Sequence, residues 1–293
     1  MPFDLLRMCR ERTVLGDGAM GTALQHAGLE PGQSGEGWNL QHPDRVERIQ
    51  RAYIDAGSAF VITNSFGANP WVLGRYDLAG KVEDLNRAAA AIARRAAGGR
   101  GVLGDIGPFG GLLAPLGETA IDEVRRAFLA QARALVEGDV DGIIVETMSA
   151  IEEAVAAVRA AREAGARVVV ASMAFERKRA GLRTLMGVSP AEAAVALVEA
   201  GADIVGANCG THMSVADFIE VTRAMQAAVS APIIIQSNAG QPDLVEGRAV
   251  YRLTPEAFAA GMNDVVAAGA AIIGGCCGTT PAHIAACRAM LDA

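Results

Sequence analysis

The strongest constraint on the fold is a regular alternation of short apolar segments with longer amphipathic ones. The apolar segments are continuous runs of aliphatic residues, which is typical of strands buried on both faces of a parallel sheet. Eight such segments occur, at residues 14–16, 60–63, 102–106, 142–145, 168–172, 203–207, 233–236 and 271–274. The segments between them have helical periodicity and predict helices at residues 46–56, 82–97, 121–137, 151–164, 191–200, 215–229, 255–268 and about 282–291.

Glycines occur at the ends of several predicted helices. Gly138, Gly165 and Gly201 each end a predicted helix just before the next strand, where glycine tolerates a left-handed conformation. They lie 27 and 36 residues apart, about the length of one strand–helix unit of ~30 or more residues. Eight such units predict a closed (β/α)8 TIM barrel, ahead of an open doubly wound sheet. Since no linker or low-complexity segment divides the chain, we predict one domain over residues 1–293.

Composition excludes several classes of protein. Apolar residues make up 51% of the chain and charged ones 20%, which argues against intrinsic disorder. The net charge is −7 and no basic block is present, so we expect neither nucleic acid nor an anionic membrane as a partner. The start of the chain lacks a basic and apolar leader, and the longest apolar segment, near 265–278, is too short to span a bilayer. An odd count of 5 cysteines favours reduced thiols, and we expect a cytoplasmic protein.

Three cysteines follow predicted strands at the end of a barrel where active sites lie. Cys209 follows the sixth strand, and Cys276 and Cys277 follow the eighth. Three thiolates can hold Zn²⁺ and leave the fourth position open, which is typical of a catalytic site. The alternative is that a free cysteine packs as a small apolar residue, and this is what we expect of Cys9 and Cys287.

Other interpretations of this region remain open. The glycine-rich segment 274–280 resembles a phosphate-binding loop, although two adjacent thiols are unusual beside a phosphate. His212, three residues beyond Cys209, is a candidate further ligand. Asn238 follows the seventh strand, and its carbonyl oxygen is a candidate fourth ligand in the absence of substrate.

Two carboxylates follow other strands. Glu146 comes directly after the fourth strand, and Asp17 lies in a glycine-rich turn after the first. A buried carboxylate needs a partner, which is either the ammonium group of a substrate or an arginine of a neighbouring loop. The glycines around Asp17 let backbone N–H groups approach a small anion such as an α-carboxylate.

These groups suit alkyl transfer to sulfur. A metal-coordinated thiol loses its proton outright, so a zinc ion with three thiolates provides a thiolate nucleophile without a general base. An amino-acid thiol fits the remaining groups, because a carboxylate can take its ammonium and backbone donors its carboxylate. Methyl transfer then requires mainly that the sulfur atom and the donor carbon are held in line.

The sequence resembles the zinc-dependent homocysteine S-methyltransferases. This family includes the homocysteine module of cobalamin-dependent methionine synthase, betaine–homocysteine methyltransferase and S-methylmethionine-dependent enzymes. The motifs that carry the resemblance cover the whole chain: Gly16-Asp17-Gly18-Ala19-Met20-Gly21-Thr22, Thr63-Asn64-Ser65-Phe66-Gly67-Ala68, Gly104-Asp105-Ile106-Gly107-Pro108, Glu146-Thr147-Met148, Gly206-Ala207-Asn208-Cys209 and Gly274-Gly275-Cys276-Cys277-Gly278-Thr279-Thr280-Pro281.

The resemblance implies a zinc site and a homocysteine site, with methionine as the product. Its implied zinc ligands are Cys209, Cys276 and Cys277, and Asp17 and Glu146 are implied to hold homocysteine. The full set that we predict to bind substrate is Asp17, Gly18, Thr63, Asn64, Glu146 and Asn208.

The methyl donor is open. Gly67 and Thr147 stand where animal betaine enzymes carry tyrosines, so a cation–π cage of that kind is not expected. The mouth-side aromatic residues that remain candidates to face an onium group are Trp38, Trp71, Tyr76 and Phe109.

We therefore expect a methyltransferase that uses homocysteine and a small onium donor. No cobalamin signature occurs and the last predicted helix ends near Ala293, so we expect no folate or corrinoid module within this sequence. One alternative is a methyl group taken from a separate methyl-corrinoid protein that docks at the barrel mouth. Another is a non-catalytic barrel that binds zinc or thiols. The last alternative is a barrel enzyme that binds a phosphate group.

Overall fold

The computed structural model describes residues 3–245 and 248–293, with only the backbone of Arg248. The strands, in chain order, are β1 (Val14–Leu15), β2 (Phe60–Ile62), β3 (Gly101–Ile106), β4 (Gly142–Met148), β5 (Val169–Met173), β6 (Phe175–Lys178), β7 (Gly181–Thr184), β8 (Ile204–Asn208), β9 (Ile233–Ser237), β10 (Asp243–Val245), β11 (Arg248–Val250) and β12 (Ile272–Gly275). The helices are α1 (Leu5–Glu11), α2 (Met20–His26), α3 (Trp38–Gln41), α4 (Pro43–Asp55), α5 (Pro70–Gly74), α6 (Val82–Ala97), α7 (Ile121–Glu137), α8 (Ile151–Glu163), α9 (Pro190–Ala200), α10 (Val215–Ala228), α11 (Pro255–Ala267) and α12 (Pro281–Asp292).

Eight strands form one parallel sheet that closes on itself. Their order is β1-β12-β9-β8-β5-β4-β3-β2. The two end strands meet because the N–H of Ala59, just before β2, donates to the carbonyl oxygen of Leu15 in β1 at 2.7 Å. Each strand of this sheet overlaps one of the eight predicted apolar segments, and most extend one to three residues beyond it. The predicted (β/α)8 barrel is therefore confirmed, and the open doubly wound sheet is not formed.

Continuous apolar strands are needed because both faces of the sheet are buried. One side chain from each strand joins a cluster with 0–1% exposure: Val14, Phe60, Leu103, Ile144, Val170, Ile204, Ile234 and Ile272. Leu5 of α1 packs in the same cluster, so α1 covers the N-terminal end of the barrel. A larger cluster joins the other face of the strands to the helices. Each such side chain contributes about 1.5–3 kcal/mol of burial free energy.

Local capping signals fix where the helices begin. Ser189 accepts a hydrogen bond from the N–H of Glu192, and the Glu192 carboxylate accepts one from the N–H of Ser189. Ser214 and Asp217 repeat this arrangement at α10. Such reciprocal caps satisfy backbone N–H groups that the helix itself leaves unpaired. The strand–helix junctions after β7 and β8 are therefore well defined.

Several short elements that the periodicity did not predict extend the loops at the carboxyl ends of the strands. The antiparallel hairpin β6–β7 follows β5, and the hairpin β10–β11 follows β9. Helices α2 and α3 follow β1, and α5 follows β2. They are too short and polar to give a periodic signal. All of them lie at the barrel mouth, where loops position functional groups.

In the described part of the chain, no helix is both long enough and apolar enough to cross a membrane.

Candidate active site

A cavity of about 550 Å³ opens at the carboxyl ends of the barrel strands. Ends of β1, β2, β4, β8 and β12 all contribute to its wall. Eight of the ten residues predicted to bind metal or substrate line it: Asp17, Gly18, Thr63, Asn64, Glu146, Cys209, Cys276 and Cys277. The closed barrel brings these positions together, although up to 260 residues of chain separate them.

The three predicted metal ligands form one sulfur cluster. The sulfur atoms of Cys209, Cys276 and Cys277 all lie within 4.8 Å of one another, and Cys209 Sγ is 3.9 Å from Cys277 Sγ. Zn–S bonds of about 2.3 Å in a tetrahedron place two sulfurs about 3.8 Å apart. The spacing thus fits a tetrahedral metal ion. Among the described residues, His212 is not part of this group.

Hydrogen bonds among the three cysteines shift their pKa values in opposite directions. Hydrogen bonds from Cys276 and then from Cys277 lower the pKa of Cys209 to about 3. The same interactions raise the pKa of Cys276 well above its usual value, and that of Cys277 to about 11. Three sulfur atoms at this spacing form a soft donor set of the kind that Zn²⁺ prefers.

Asn238, the predicted fourth ligand, lies beside this cluster. Its side chain hydrogen-bonds Cys209 and is 6% exposed. Its Oδ1 atom is buried and has no hydrogen-bond partner among the described residues. A buried carbonyl oxygen without a partner is costly, and the assignment of this oxygen as a metal ligand stays a prediction.

Sequence reasoning missed Tyr251, which follows the hairpin β10–β11. Its ring lies against Gly278, where an added Cβ would be 2.0 Å from Tyr251 Cγ. Its hydroxyl hydrogen-bonds Cys277, and its pKa is raised by burial and by the neighbouring thiols. No motif or periodicity marks this tyrosine, because its role depends on a loop that folds over the last strand.

Asn208 connects three strand ends behind the cavity wall. Its Oδ1 accepts hydrogen bonds from the Thr147 N–H at 2.8 Å and from the Ser172 hydroxyl at 2.7 Å. Its Nδ2 donates to Thr147 Oγ1 at 2.6 Å and approaches Cys276 Sγ at 3.8 Å. Asn208 is fully buried. Its amide is therefore already occupied by protein groups.

This network holds Thr147 in an unusual conformation. Thr147 has φ 62°, in the left-handed region, which is unfavourable for a β-branched residue. The pairing of β4 with β5 is irregular at the same place, between Val145 and Met148. The two bonds from Asn208 compensate for this strain. Glu146 directly precedes Thr147 in β4, so these bonds hold the backbone next to its carboxylate.

Three carboxylates face the cavity without a cationic partner. Asp17 accepts the Ile62 N–H with Oδ2 at 2.8 Å, but its Oδ1 has no partner among the described residues. Asp105, at the end of β3, is 5% exposed and its Oδ1 is likewise unpartnered. No ion pair in the described part of the chain includes Asp17, Asp105 or Glu146. The predicted alternative, a structural pair with an arginine, is not formed at Glu146 or Asp17.

Burial dominates the electrostatics of these acids. It raises the pKa of Asp17 and of Asp105 well above the usual value, and that of Glu146 to about 7. Mutual repulsion adds to the effect, since Glu146 lies near both aspartates. A cation entering the cavity would stabilise the charged forms.

The other predicted substrate residues have defined structural contacts. The Thr63 hydroxyl bonds Ser65 Oγ at 2.6 Å and accepts the Asp105 N–H at 2.9 Å. Asn64 donates to the carbonyl oxygen of Gly35 at 2.8 Å and so holds the loop after β1. Gly18 has no room for a side chain, because a Cβ there would be 2.7 Å from Thr279 Oγ1.

The aromatic candidates divide between core and cavity. Trp38 is 2% and Phe109 1% exposed, so both belong to the core. Trp71 packs edge-on against Phe109 at 5.5 Å between ring centroids. Tyr76 and Phe66 line the cavity. Phe66 is a second residue that the sequence analysis did not single out.

Glu36 and Gly67 are in close contact at the outer part of the cavity. The Gly67 N–H donates to Glu36 Oε1 at 2.7 Å. A Cβ on Gly67 would be 2.8 Å from Glu36 Oε1 and 2.8 Å from Val72 Cγ1. A tyrosine therefore cannot replace Gly67 in this arrangement.

The two cysteines outside the cluster pack against apolar residues. Cys287 is 1% exposed in the main core. Cys9 is half-buried against the inner cluster, near the N-terminal end of the barrel.

Comparison with known proteins assigns the chain to a family. A family model described as homocysteine S-methyltransferase matches residues 14–291. The chain belongs to the homocysteine S-methyltransferase family. The resemblance seen in the sequence motifs is thereby confirmed.

Individual members show how far the similarity extends. Methionine synthase of Mycobacterium tuberculosis (strain ATCC 25618 / H37Rv) is 37% identical over 300 residues, which cover 96% of this chain and 25% of the synthase. The chain thus spans about a quarter of the length of the methionine synthases that it matches. Betaine–homocysteine S-methyltransferase 1 of Rattus norvegicus is 32% identical over 310 residues, covering 96% of this chain and 73% of the relative.

A solved structure supports the fold. The homocysteine methyltransferase MmuM from Escherichia coli, in its metallated form, superposes with a TM-score of 0.80. The match covers 98% of this chain and 99% of MmuM at 22% identity. The same barrel architecture therefore occurs in a homocysteine methyltransferase.

Proposed function

We propose that this protein transfers a methyl group from a small onium donor, betaine-like or S-methylmethionine-like, to the thiolate of homocysteine, giving methionine. Zn²⁺ is the proposed cofactor, held by Cys209, Cys276 and Cys277, with Asn238 as a fourth ligand before substrate binds. The observation that carries this proposal is the cluster of three sulfur atoms, all within 4.8 Å of one another, in a cavity that also contains carboxylates without a cationic partner. Family membership supports homocysteine as the acceptor.

Cys209, Cys276 and Cys277 would hold the zinc ion, which would lower the pKa of a coordinated thiol and so make the homocysteine sulfur nucleophilic. The chain supplies the rest of the homocysteine site. Glu146 and Asp17 receive the ammonium group in charge-assisted hydrogen bonds. Gly18 leaves the backbone accessible to the carboxylate, since it has no side chain. The buried Asn208 holds Thr147, which lines the cavity next to Glu146.

The methyl transfer depends on the alignment of the two substrates and involves no further proton transfer. A new bond forms between the homocysteine sulfur and the methyl carbon, while the bond from that carbon to the onium atom breaks. The electron pair of the broken bond stays on the donor, which leaves without the onium charge. No general acid is required, because the sulfur has already lost its proton. Holding the two substrates in line then supplies much of the acceleration.

A donor screen tests the proposal. Zinc-loaded protein is incubated with homocysteine and one of betaine, S-methylmethionine, dimethylsulfoniopropionate or methylcobalamin, and methionine is measured. We expect methionine from at least one onium compound. Zinc and homocysteine binding without methionine from any donor would instead support the non-catalytic thiol-binding barrel.

Glu146→Gln tests the homocysteine site. We expect the KM for homocysteine to rise on the order of 10-fold or more, since a charge-assisted contact is lost. Glu153→Gln is the matched control, because Glu153 is also a buried carboxylate but does not line the cavity. An unchanged KM in Glu146→Gln would assign Glu146 a structural role only.

A separate methyl-corrinoid protein is the second candidate donor. The observation that favours it is the 37% identity with a methionine synthase, against 32% with a betaine-dependent relative. Efficient methylation by methylcobalamin, with no response to the onium compounds, would select this candidate.

A further inference from the structure

The proposed site brings three cysteine thiolates and the homocysteine thiolate together at one metal ion. A thiolate is a nucleophile whether it belongs to a cysteine or to a substrate. Methyl transfer to Cys209, Cys276 or Cys277 would convert that ligand into a neutral thioether and inactivate the site. The site therefore needs a feature that makes the homocysteine sulfur more reactive than the three cysteine sulfurs.

Two of the cysteine sulfurs have hydrogen-bond donors from outside the cluster. Cys276 Sγ lies 3.8 Å from Nδ2 of Asn208, which is fully buried. Cys209 receives a hydrogen bond from the backbone N–H of the next residue, Gly210, in addition to the one from Asn238. A hydrogen bond donated to a thiolate stabilises its negative charge. The sulfur then becomes a weaker nucleophile, because thiolate nucleophilicity falls together with basicity.

Tyr251 is the donor at the third sulfur. Its hydroxyl hydrogen-bonds the side chain of Cys277, and a phenol is protonated and able to donate at neutral pH. The tyrosine packs on the backbone that follows this cysteine, since a Cβ added to Gly278 would collide with the Tyr251 ring. Gly278 has φ 79°, which also favours glycine at this position.

Backbone contacts anchor the segment that carries Tyr251. The N–H of Ala239 donates to the carbonyl oxygen of Cys277 at 2.9 Å, and the N–H of Leu253 donates to the carbonyl oxygen of Ala239 at 3.3 Å. The carbonyl oxygen of Leu253 in turn accepts a hydrogen bond from Nε2 of His283 at 2.9 Å. His283 is 6% exposed. The position of the Tyr251 ring therefore does not depend on its hydroxyl group alone.

The donors and the substrate reach the sulfur cluster from different sides. The three cysteines line the cavity. Asn208 and Tyr251, which donate to two of them, are not among the described residues that line it. Homocysteine enters through the cavity, so its sulfur meets the metal ion on the side away from these donors.

We propose that Tyr251 is a positioning residue that protects Cys277 from methylation and so directs the methyl group to the substrate. Its hydroxyl donates to Cys277 Sγ and lowers the nucleophilicity of that thiolate, and Asn208 has the same effect on Cys276. The homocysteine sulfur, without such a donor, remains the most reactive of the four. The inference rests on the proposed function and assigns the residue that decides which sulfur reacts.

Iodomethane tests this protection without a donor-binding site. A bond forms between the cysteine sulfur and the methyl carbon, the carbon–iodine bond breaks, and iodide leaves with the electron pair. Wild-type and Tyr251→Phe proteins are loaded with zinc, treated without homocysteine, and analysed by peptide mass spectrometry. We expect methylation of Cys277 to become roughly 3- to 10-fold faster in Tyr251→Phe. Methylation of Cys209 and Cys276, and the zinc content before treatment, should not change.

Tyr53→Phe is the matched control. The Tyr53 hydroxyl donates to the carbonyl oxygen of Thr279 at 3.1 Å, two residues beyond Cys277. It therefore contacts the same loop through the backbone, and its removal leaves the donor to the sulfur in place. Methylation of Cys277 should keep its wild-type rate. A merely structural role of Tyr251 predicts instead that both tyrosine variants lose zinc or expose all three cysteines alike.

Co²⁺ in place of zinc gives a second readout that needs no methylation. The thiolate-to-cobalt charge-transfer band should move to longer wavelength in Tyr251→Phe, because a thiolate without its hydrogen bond is a stronger electron donor. The band should stay in place in Tyr53→Phe.

The outcomes separate this inference from the proposed function. Neither measurement uses a biological methyl donor, so faster methylation of Cys277 in Tyr251→Phe would support the inference even if no donor gave methionine. Equal rates at Cys277 in zinc-loaded wild type and Tyr251→Phe would overturn the inference alone. Wild-type protein that binds no zinc would overturn the inference and the proposed function together.

Discussion

Asn208→Ala tests whether the network behind the cavity holds the site together. The substitution removes the bonds to the Thr147 N–H, Thr147 Oγ1 and the Ser172 hydroxyl, at 2.8, 2.6 and 2.7 Å. Each buried group left unpaired costs about 1–3 kcal/mol. Counting the Thr147 N–H, the Ser172 hydroxyl and the small cavity, we expect the free energy of unfolding to fall by about 3–5 kcal/mol.

Thr147→Gly refines the same test. Glycine relieves the strain of a left-handed φ of 62°, which stabilises the fold by roughly 1–2 kcal/mol. The loss of the Thr147 hydroxyl removes one hydrogen bond, and the greater chain entropy of the unfolded state also opposes folding, each by about 1 kcal/mol. The net effect in wild type should be close to zero. In the Asn208→Ala background the bond is already absent, so Thr147→Gly should be stabilising, with a coupling energy of about 1 kcal/mol.

The assay is urea unfolding of metal-free protein with chelator and reductant, because a bound metal would add its own contribution to stability. Asn263→Ala, an exposed asparagine of α11, is the control and should change stability by less than about 0.5 kcal/mol. A loss below about 1 kcal/mol in Asn208→Ala, or the same effect of Thr147→Gly in both backgrounds, would refute the reasoning.

Two further predictions concern other positions. Burial raises the pKa of Glu153 to about 7, so the wild-type free energy of unfolding falls as pH rises from the usual carboxyl pKa to 7. In urea unfolding, Glu153→Gln should therefore raise the free energy of unfolding by up to about 3 kcal/mol at pH 8 and leave it unchanged at pH 4. An equal effect at both pH values would contradict the shift. Gly18→Ala should lower the free energy of unfolding by about 1–3 kcal/mol and weaken homocysteine binding in calorimetry, because its Cβ would lie 2.7 Å from Thr279 Oγ1. Wild-type stability and wild-type affinity would show that a side chain fits at this position.

The sequence predicts the barrel and the sulfur cluster well, for a physical reason. Strands buried on both faces must be apolar throughout, so their positions are visible as continuous runs, and parallel order brings their carboxyl ends to one mouth. Cys209 and Cys277 could thus be placed together although 68 residues separate them.

The contacts that refine the site could not be predicted in this way. The bonds between Thr147 and Asn208 join residues 61 positions apart, and they depend on an irregular register that no periodicity records. Tyr251 lies on a loop, whose conformation depends on tertiary packing. Glu36 lies in the loop after β1, where no motif or periodicity marks it. The residues that adjust the chemistry are therefore those with the weakest sequence signal.

The central claim is that Cys209, Cys276 and Cys277 hold a zinc ion with one position open to the homocysteine thiol. X-ray absorption at the zinc edge, with and without homocysteine, tests it most directly. We predict three sulfur neighbours at about 2.3 Å and one oxygen or nitrogen in the free protein, and four sulfurs once homocysteine is bound. Fewer than three sulfurs in the free protein, or no additional sulfur with homocysteine, would contradict the claim.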